Sequence, residues 1–192
     1  MRLPVCRWDL ESDILCPQCQ ERLDKGELSK FEVSLSNWLL EREKLYPSLD
    51  NLNLLRAQRI RNRLILVVKK KTKDALTSAT GLMEEMQTSF GEVMIMEGPV
   101  KLRSLIRMLI SPCVELGINN LYLPDGVKES IVMLRPEDKE KISYSKDELR
   151  EIATAVLDEI VLFRYQDEQD EGDIEEDDEF GKKLRAYGRR RR

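Results

Sequence analysis

The stretch that decides the fold runs from Leu52 to Val68 and reads LNLLRAQRIRNRLILVV. Its second half, Arg63 to Val68, is an apolar run ending in β-branched residues, as is typical of a strand. Its first half, Leu52 to Ile60, is a second strand candidate, and Arg61 and Asn62 supply the predicted tight turn between them. The stretch therefore predicts two neighbouring strands joined by a short turn.

Helical patterns flank this strand pair. From Leu28 to Leu45 apolar residues recur at three or four positions, which predicts an amphipathic helix ended by Pro47. Thr72 to Phe90 predicts two short helices, because β-branched residues and a glycine between Thr77 and Gly81 weaken the middle. A strand from Glu92 to Met96 follows, and the predicted order is α, β, β, α, α, β.

The same order is predicted a second time downstream. Its elements are a helix over 100–116, strands over 118–123 and 129–134, a helical turn at Pro136, a helix over 146–156 and a strand over 159–165. Pro112 should kink or end the first helix early. Pro124 to Gly126 predicts a hairpin turn, and Ser145 with Glu148 predicts a capping box. The chain thus reads as two units of one topology.

The composition narrows the class of protein. The 192 residues carry a formal net charge of -4 and include no histidine. The commonest general base is therefore missing, and we expect no enzymatic activity and no small-molecule substrate. No apolar run reaches the roughly 18 to 20 residues that span a bilayer, and no apolar signal core opens the chain. We expect a cytoplasmic protein with no membrane partner.

The cysteines predict a metal site. Cys16 and Cys19 form a C-x-x-C knuckle of the kind that presents two thiolates to zinc, and Cys6 lies one loop upstream. Asp9 stands where a zinc ribbon would have its fourth cysteine, and a carboxylate oxygen is an acceptable zinc ligand. Cys113 is the rival, although its apolar neighbours favour a buried cysteine in a helix. The sequence predicts one structural zinc ion with Asp9 or Cys113 completing the set.

Three motifs carry a resemblance to a known family. They are Leu3-Pro4-Val5-Cys6, Ile14-Leu15-Cys16-Pro17-Gln18-Cys19-Gln20, and the segment from Leu116 to Gly126, LGINNLYLPDG. With them the chain resembles archaeal proteins related to the transcription factor NusA, which carry tandem type II KH domains, and specifically those with a cysteine-bearing N-terminal extension. The resemblance implies RNA binding linked to transcription or the ribosome.

The resemblance also implies a domain plan. The expected fold class is α+β, with a zinc-knuckle-like module at 1–27 and KH-like domains of type II topology, αββααβ, at 28–98 and 99–165. Residues 166–192 form a tail of acidic residues followed by basic ones, too poor in apolar residues to fold alone. We expect this tail to be disordered.

The RNA-gripping loops of the family are altered in this chain. A KH domain holds about four nucleotides with a Gly-x-x-Gly loop between two helices, because glycines let the backbone approach the phosphates. In the first unit the loop falls at Thr77, Ser78, Ala79 and Thr80, and neither glycine is present. In the second it falls near 141–145, again with no glycine. Both grips are predicted to be degenerate, which also fits a KH-like scaffold with a packing role.

A basic segment offers another nucleic-acid surface. No acidic residue interrupts the chain from Asn51 to Lys73. Alternation along the strand predicts that Arg59, Arg61 and Arg63 lie on one side and contact phosphates. The alternative is a solvated face that protects an edge strand. The candidate nucleic-acid-binding residues are Arg56, Arg59, Arg61, Arg63, Lys69, Lys70, Lys71, Lys73 and the terminal Arg189, Arg190, Arg191 and Arg192.

Two classes of function follow from these features. The first is an RNA-binding accessory factor that acts on ribosomal RNA or a nascent transcript, in company with RNA polymerase or the ribosome. The second is a protein-interaction adaptor built on KH scaffolds that have lost RNA affinity. Dependence of RNA affinity on salt separates the two, because phosphate contacts release counterions.

Overall fold

The computed structural model describes residues 1–122 and 128–168. The chain divides into two compact units, Met1–Lys101 and a second beginning at Leu102. Both mix helices with a small three-stranded sheet, so the predicted α+β class is confirmed. The predicted turn at Pro124–Gly126 and the tail from residue 169 onward, including Arg189 to Arg192, lie outside the described residues. Among the described helices, none has the length and apolar character needed to cross a membrane.

The first unit contains five helices and three strands among its described elements. They are α1 (Arg7–Ser12), α2 (Pro17–Asp24), α3 (Lys30–Arg42), β1 (Leu54–Ile60), β2 (Arg63–Lys69), α4 (Asp74–Thr77), α5 (Thr80–Phe90) and β3 (Glu92–Gly98), with a 3-10 turn at Pro47–Asn51. The two predicted strands of the opening stretch are present, and the helical region that follows is split in two as predicted.

The sheet of the first unit has the order β1-β2-β3. β1 and β2 are antiparallel around a tight turn in which Arg61 adopts a positive φ of 53°. β3 runs parallel to β2, because the chain returns through α4 and α5. Leu64, Leu66 and Val68 of β2 share a fully buried core with α3. The apolar pattern of β2 is explained by its central place in the sheet.

Helix α3 is tied to the sheet at its first turn. Ser29 and Glu32 form a capping box, in which the Ser29 Oγ accepts from the Glu32 N–H and Glu32 Oε2 accepts from the Ser29 N–H at 2.8 Å. The other carboxylate oxygen, Oε1, accepts from the Ala57 N–H of β1 at 3.0 Å. One buried side chain therefore caps the helix and fixes its start against the strand.

The second unit has the order helix, strand, strand, helix, strand, with a 3-10 turn and one α-helix before its last strand where the first unit has two α-helices. Its elements are α6 (Leu102–Leu109), β4 (Gly117–Tyr122), β5 (Lys128–Leu134), α7 (Lys146–Leu157) and β6 (Ile160–Tyr165), with 3-10 turns at Pro136–Asp138 and Gln166–Glu168. β4 pairs antiparallel with β5, and β6 pairs parallel with β5. The capping box predicted for Ser145 and Glu148 is present at the start of α7.

One predicted helix is shorter than its sequence pattern. The helix predicted over 100–116 ends at Leu109, before Pro112, as the proline indicated. Cys113 therefore lies in the turn that follows and not in a helix, and its N–H donates to the Ile110 carbonyl at 2.8 Å. The placement of Cys113 in a helix was wrong, because the helix stops one turn before it.

The junction of α5 and β3 depends on a glycine. Gly91 has φ +89°, and a Cβ on it would lie 2.2 Å from the Asn62 carbonyl oxygen. We expect Gly91→Ala to lower the free energy of unfolding by more than about 3 kcal/mol, because backbone must move in addition to the unfavourable φ. Urea denaturation measures this loss.

Gly26→Ala is the matched control. Gly26 also has a positive φ, +75°, but nothing lies within 4 Å of an added Cβ. We expect this change to cost about 1 kcal/mol, the strain of a left-handed L-residue alone. Equal losses in the two variants would contradict the steric account of Gly91.

Candidate metal centre

Four side chains from two short helices meet near the start of the chain. Cys6 is the N-cap of α1 and Asp9 lies three residues later, at N3. Cys16 is the N-cap of α2 and Cys19 is its N3 residue. N-cap and N3 side chains face each other across the first turn of a helix, as in a capping box. Each helix therefore presents one pair of ligand atoms, and the site is built from two such pairs.

The ligand atoms of the four residues are close enough to bind one ion. Sγ of the three cysteines and a carboxylate oxygen of Asp9 all lie within 4.8 Å of one another. The Cys19 Sγ is 3.6 Å from the Cys6 Sγ. Neither N-cap cysteine makes a side-chain capping hydrogen bond, so their sulfurs point at the cluster and not at the helix backbone.

The cluster is held by a small apolar core and by hydrogen bonds from two arginines. Cys19 shares a small core with residues of the N-terminal segment and of α3; its buried members are Val5, Leu10, Cys19 and Leu28, with Val33 and Leu40 packed against them. Arg22 of α2 donates to the Pro4 carbonyl at 2.7 Å. Arg7 of α1 donates to both carboxylate oxygens of Glu43, at 3.2 and 2.8 Å. Both short helices are thereby fixed to the body of the first unit.

The electrostatics of the cluster favour a cation. Contact with the Cys19 thiol lowers the pKa of Asp9, and burial followed by contact with Asp9 raises the pKa of Cys19 to about 12. Asp9 is 2% exposed, and no described residue reaches either of its carboxylate oxygens with the geometry of a hydrogen bond. The anionic form of Asp9 is thus favoured at a buried position, where a charge is costly unless it is paired or binds a metal. The residues present therefore fit a metal ion.

The fourth member of the cluster is Asp9 and not Cys113. Among the described residues, the cluster consists of Cys6, Asp9, Cys16 and Cys19, and Cys113 belongs to the second unit. The alternative that the sequence left open is thus decided in favour of the carboxylate. Arg7, Arg22 and Glu43 support the site, and the sequence analysis missed them because only the packing of α3 brings Glu43 to α1.

The basic segment does not form one surface. Arg59 and Arg61 lie at one end of β2 and Lys69 to Lys73 at the other, about 20 Å apart at roughly 3.3 Å per strand residue. These residues are exposed, whereas Arg56 and Arg63 are half-buried. Two separate groups of basic side chains result, because the apolar strand β2 lies between them.

The predicted alignment of the three arginines was wrong. Arg59 is paired across the sheet with Leu64, and Arg63 with Ile60, so Arg59 and Arg63 project from opposite faces. The tight turn at Arg61 reverses the chain and breaks the alternation counted along the sequence. Arg63 also forms an ion pair with Glu92 of β3, with Nε and Oε2 2.5 Å apart.

The altered loop lies where it was expected, between α4 and α5. Thr77 ends α4, Ser78 and Ala79 connect the helices, and Thr80 begins α5. The nearby Gly81 has a packing role, since a Cβ on it would lie 3.0 Å from the Tyr46 hydroxyl oxygen. The second such segment, 141–145, connects a 3-10 turn to α7.

Comparisons with known proteins add little to this description. No protein-family model matches the chain. No curated protein matches it. Solved structures similar to it include the crystal structure of APE1850, which is 20% identical in sequence and has a TM-score of 0.48, with the match covering 65% of this chain and 96% of that chain. A TM-score below 0.5 assigns neither a fold nor a function to this chain.

Substitution of Asp9 gives a test in which the size of the stability loss, with and without chelator, reports the bound metal. With metal bound, we expect Asp9→Asn to lower the melting temperature and weaken metal affinity at least roughly tenfold, because a charged ligand is lost. After exhaustive chelation, we expect the same substitution to change the melting temperature much less, because the cation that the carboxylate binds has been removed. Calorimetry with and without chelator measures both, and Cys113→Ser is the control that leaves metal content unchanged.

An equal loss of stability in both conditions would show that Asp9 stabilises the fold without binding a metal. Elemental analysis of the parent chain, purified without added metal, should find about one equivalent of zinc per chain. A metal-free chain with the same melting temperature as the metal-loaded chain would contradict the site.

Proposed function

We propose that this chain is a non-catalytic RNA-binding accessory factor of the archaeal transcription or ribosome machinery. In this proposal two KH-like domains of type II topology carry degenerate loops, and a zinc ion stiffens the N-terminal segment. The RNA is ribosomal RNA or a nascent transcript, and RNA polymerase or the ribosome is the associated machine. The observation that carries the proposal is a run of exposed lysines, Lys69 to Lys73, leading directly into the helix-loop-helix of α4 and α5.

The donor set supports zinc over other metals. Three thiolates are soft anionic ligands and the carboxylate is a harder one, and zinc accepts both kinds in a tetrahedral set of four. Calcium and magnesium prefer sets made only of oxygens. The role is structural, because all four positions are filled by side chains and Cys19 is buried in a small core.

The topology supports a KH-like scaffold. In each unit, two strands pair antiparallel and a third returns parallel to the central one. In the first unit the chain passes from β2 to β3 through two helices joined at residues 78–79. A KH domain has its RNA-binding Gly-x-x-Gly loop between two such helices. The degenerate loop retains this position although it lacks the glycines.

The lysine-rich loop supports contact with phosphates. Its backbone is fixed, since Lys71 has a positive φ of 66° and its N–H donates to Glu97 Oε1 at 3.0 Å. Lys69, Lys70, Lys71 and Lys73 are all exposed. A fixed loop that presents several ammonium groups suits binding of a phosphate backbone without base readout.

A specific observation favours the second candidate, a protein-interaction adaptor. The strand β4 lies at the edge of its sheet, and its Leu121 and Tyr122 are 46% and 77% exposed. Exposed edge strands with apolar side chains are suited to strand addition by a partner protein. RNA affinity that does not change with salt, or no RNA affinity at all, would move this candidate ahead.

The lysine loop is tested by removing two of its charges. We expect Lys70→Gln with Lys73→Gln to weaken binding of a single-stranded RNA and to flatten the slope of log affinity against log salt by about 0.7 per lost contact. Lys30→Gln with Lys44→Gln makes the same change in net charge at exposed lysines of α3 and its end. Fluorescence anisotropy across a salt series measures both pairs. Equal losses would mean that only the total charge matters.

The degenerate loop is tested by restoring its glycines. We expect Thr77→Gly with Thr80→Gly to raise single-stranded RNA affinity, because a glycine at each end lets the backbone approach phosphates. The same positions changed to Ala are the control, since Ala restores no backbone clearance. An unchanged affinity in the glycine variant, with the fold intact by circular dichroism, would contradict the KH-like grip.

A further inference from the structure

A polar groove opens beside the lysine loop in the first unit. It has a volume of about 430 Å³ and is formed by the 3-10 turn Pro47–Asn51, the end of the lysine loop and α4. Its polar lining consists of Ser48, Asn51, Lys71, Thr72, Asp74 and Ser78. This size accommodates a single nucleotide, since pockets for small ligands begin at about 300 Å³.

The hydroxyl groups of the groove have their protons already engaged. Ser48 Oγ donates to the Ala75 carbonyl at 2.9 Å, and Ser78 Oγ donates to the Asp74 carbonyl at 2.6 Å. Thr72 Oγ1 likewise donates to the Lys69 carbonyl at 2.7 Å. A hydroxyl has one proton and two lone pairs, so these groups face a ligand as acceptors. The ligand must therefore bring donors of its own.

The charges of the groove are separated. Lys71 stands on the side of the lysine loop, next to the exposed Lys70 and Lys73, and attracts a phosphate. Asp74 begins α4 and Ser78 directly follows its last residue, and on this side a carboxylate repels a phosphate and accepts from a neutral donor. A ligand with an anionic end and a hydroxyl-bearing end matches this arrangement. The ribose 2′-hydroxyl is such a donor, and DNA lacks it.

We propose that this groove binds one ribonucleotide unit of single-stranded RNA, with the phosphate at Lys71 and the ribose at the hydroxyl acceptors, and that it selects RNA over DNA. The inference rests on the proposed RNA-binding function and deepens it. It extends nucleic-acid recognition from the degenerate loop 77–80, which contributes Ser78, to a groove that runs along α4 to the lysine loop.

The test compares RNA and DNA of identical sequence on the full chain. We expect the parent to bind a 12-nucleotide single-stranded RNA more tightly than the matched DNA. Ser48→Ala with Ser78→Ala should lower RNA affinity roughly three- to tenfold and leave DNA affinity unchanged, because the single 2′-hydroxyl proton of a nucleotide within a strand donates one ordinary hydrogen bond to these acceptors. Thr88→Ala is the matched control, since its hydroxyl makes the same kind of bond to the Glu84 carbonyl, at 2.9 Å, on α5.

A second variant tests the phosphate end. Lys71→Asn removes the charge and keeps a residue that tolerates a positive φ, so the loop conformation is retained. We expect it to weaken RNA and DNA equally and to flatten the salt slope by about 0.7. Loss of RNA preference in this variant would overturn the assignment of Lys71 to the phosphate.

A titration with adenosine 5′-monophosphate and its 2′-deoxy analogue, followed by NMR, separates failure of the groove from failure of the function. Chemical-shift changes at Ser48 and Ser78 that are larger for the ribonucleotide would support nucleotide binding in the groove. If such changes occur but no long RNA binds, the groove is correct and the RNA-binding function is wrong. RNA binding by the parent with an unchanged RNA-to-DNA ratio in the double serine variant, folded by thermal melt, overturns the groove and leaves the function standing.

Discussion

The first unit depends on how helix α3 is held by Glu32. One carboxylate oxygen closes the capping box with Ser29, and the other accepts from the Ala57 N–H of β1. A buried carboxylate needs hydrogen-bond donors. Because the two donors to Glu32 come from the start of α3 and from β1, they fix the helix relative to the strand. One side of α3 then places Leu35 and Leu39 in the main core, while Val33 and Leu40 contact the small core under the cysteines. The candidate metal centre therefore packs on a helix whose position is fixed by the sheet.

The same local geometry is used for two purposes along the chain. At α3 and α7, a serine at the N-cap and a glutamate at N3 close a capping box. At α1 and α2, the N-cap is a cysteine and the N3 residue is Asp9 or Cys19, and no capping bond forms. Because N-cap and N3 side chains converge, replacing them with metal ligands gives two ligands per helix start. The cost is a pair of uncapped helix starts, which a bound cation would offset by holding both helices together.

The electrostatic surface is organised by strand length and by the turns at each end of β2. The arginines near Arg61 and the lysines from Lys69 to Lys73 are close in sequence, yet the strand separates them. Only the lysine group adjoins α4 and the polar groove. Arg63 is engaged with Glu92 and has a structural role in joining β2 to β3. Local position, more than local composition, decides which basic residues are available to a nucleic acid.

Local sequence patterns predicted much of the architecture. The apolar run of β2, the periodicity of α3, the weak middle of 72–90 and the Ser145–Glu148 cap each predicted their elements, because strand, helix and cap preferences act over a few residues. The C-x-x-C spacing likewise indicated two metal ligands. The choice of Asp9 over Cys113 as the fourth member of the cluster, the separation of the basic residues and the polar groove required the tertiary structure. The cluster depends on two helices that pack together, and the separation of the basic residues depends on a register set by one turn. The groove is lined by hydroxyls that have no sequence signature. These relations are fixed by packing and not by local sequence.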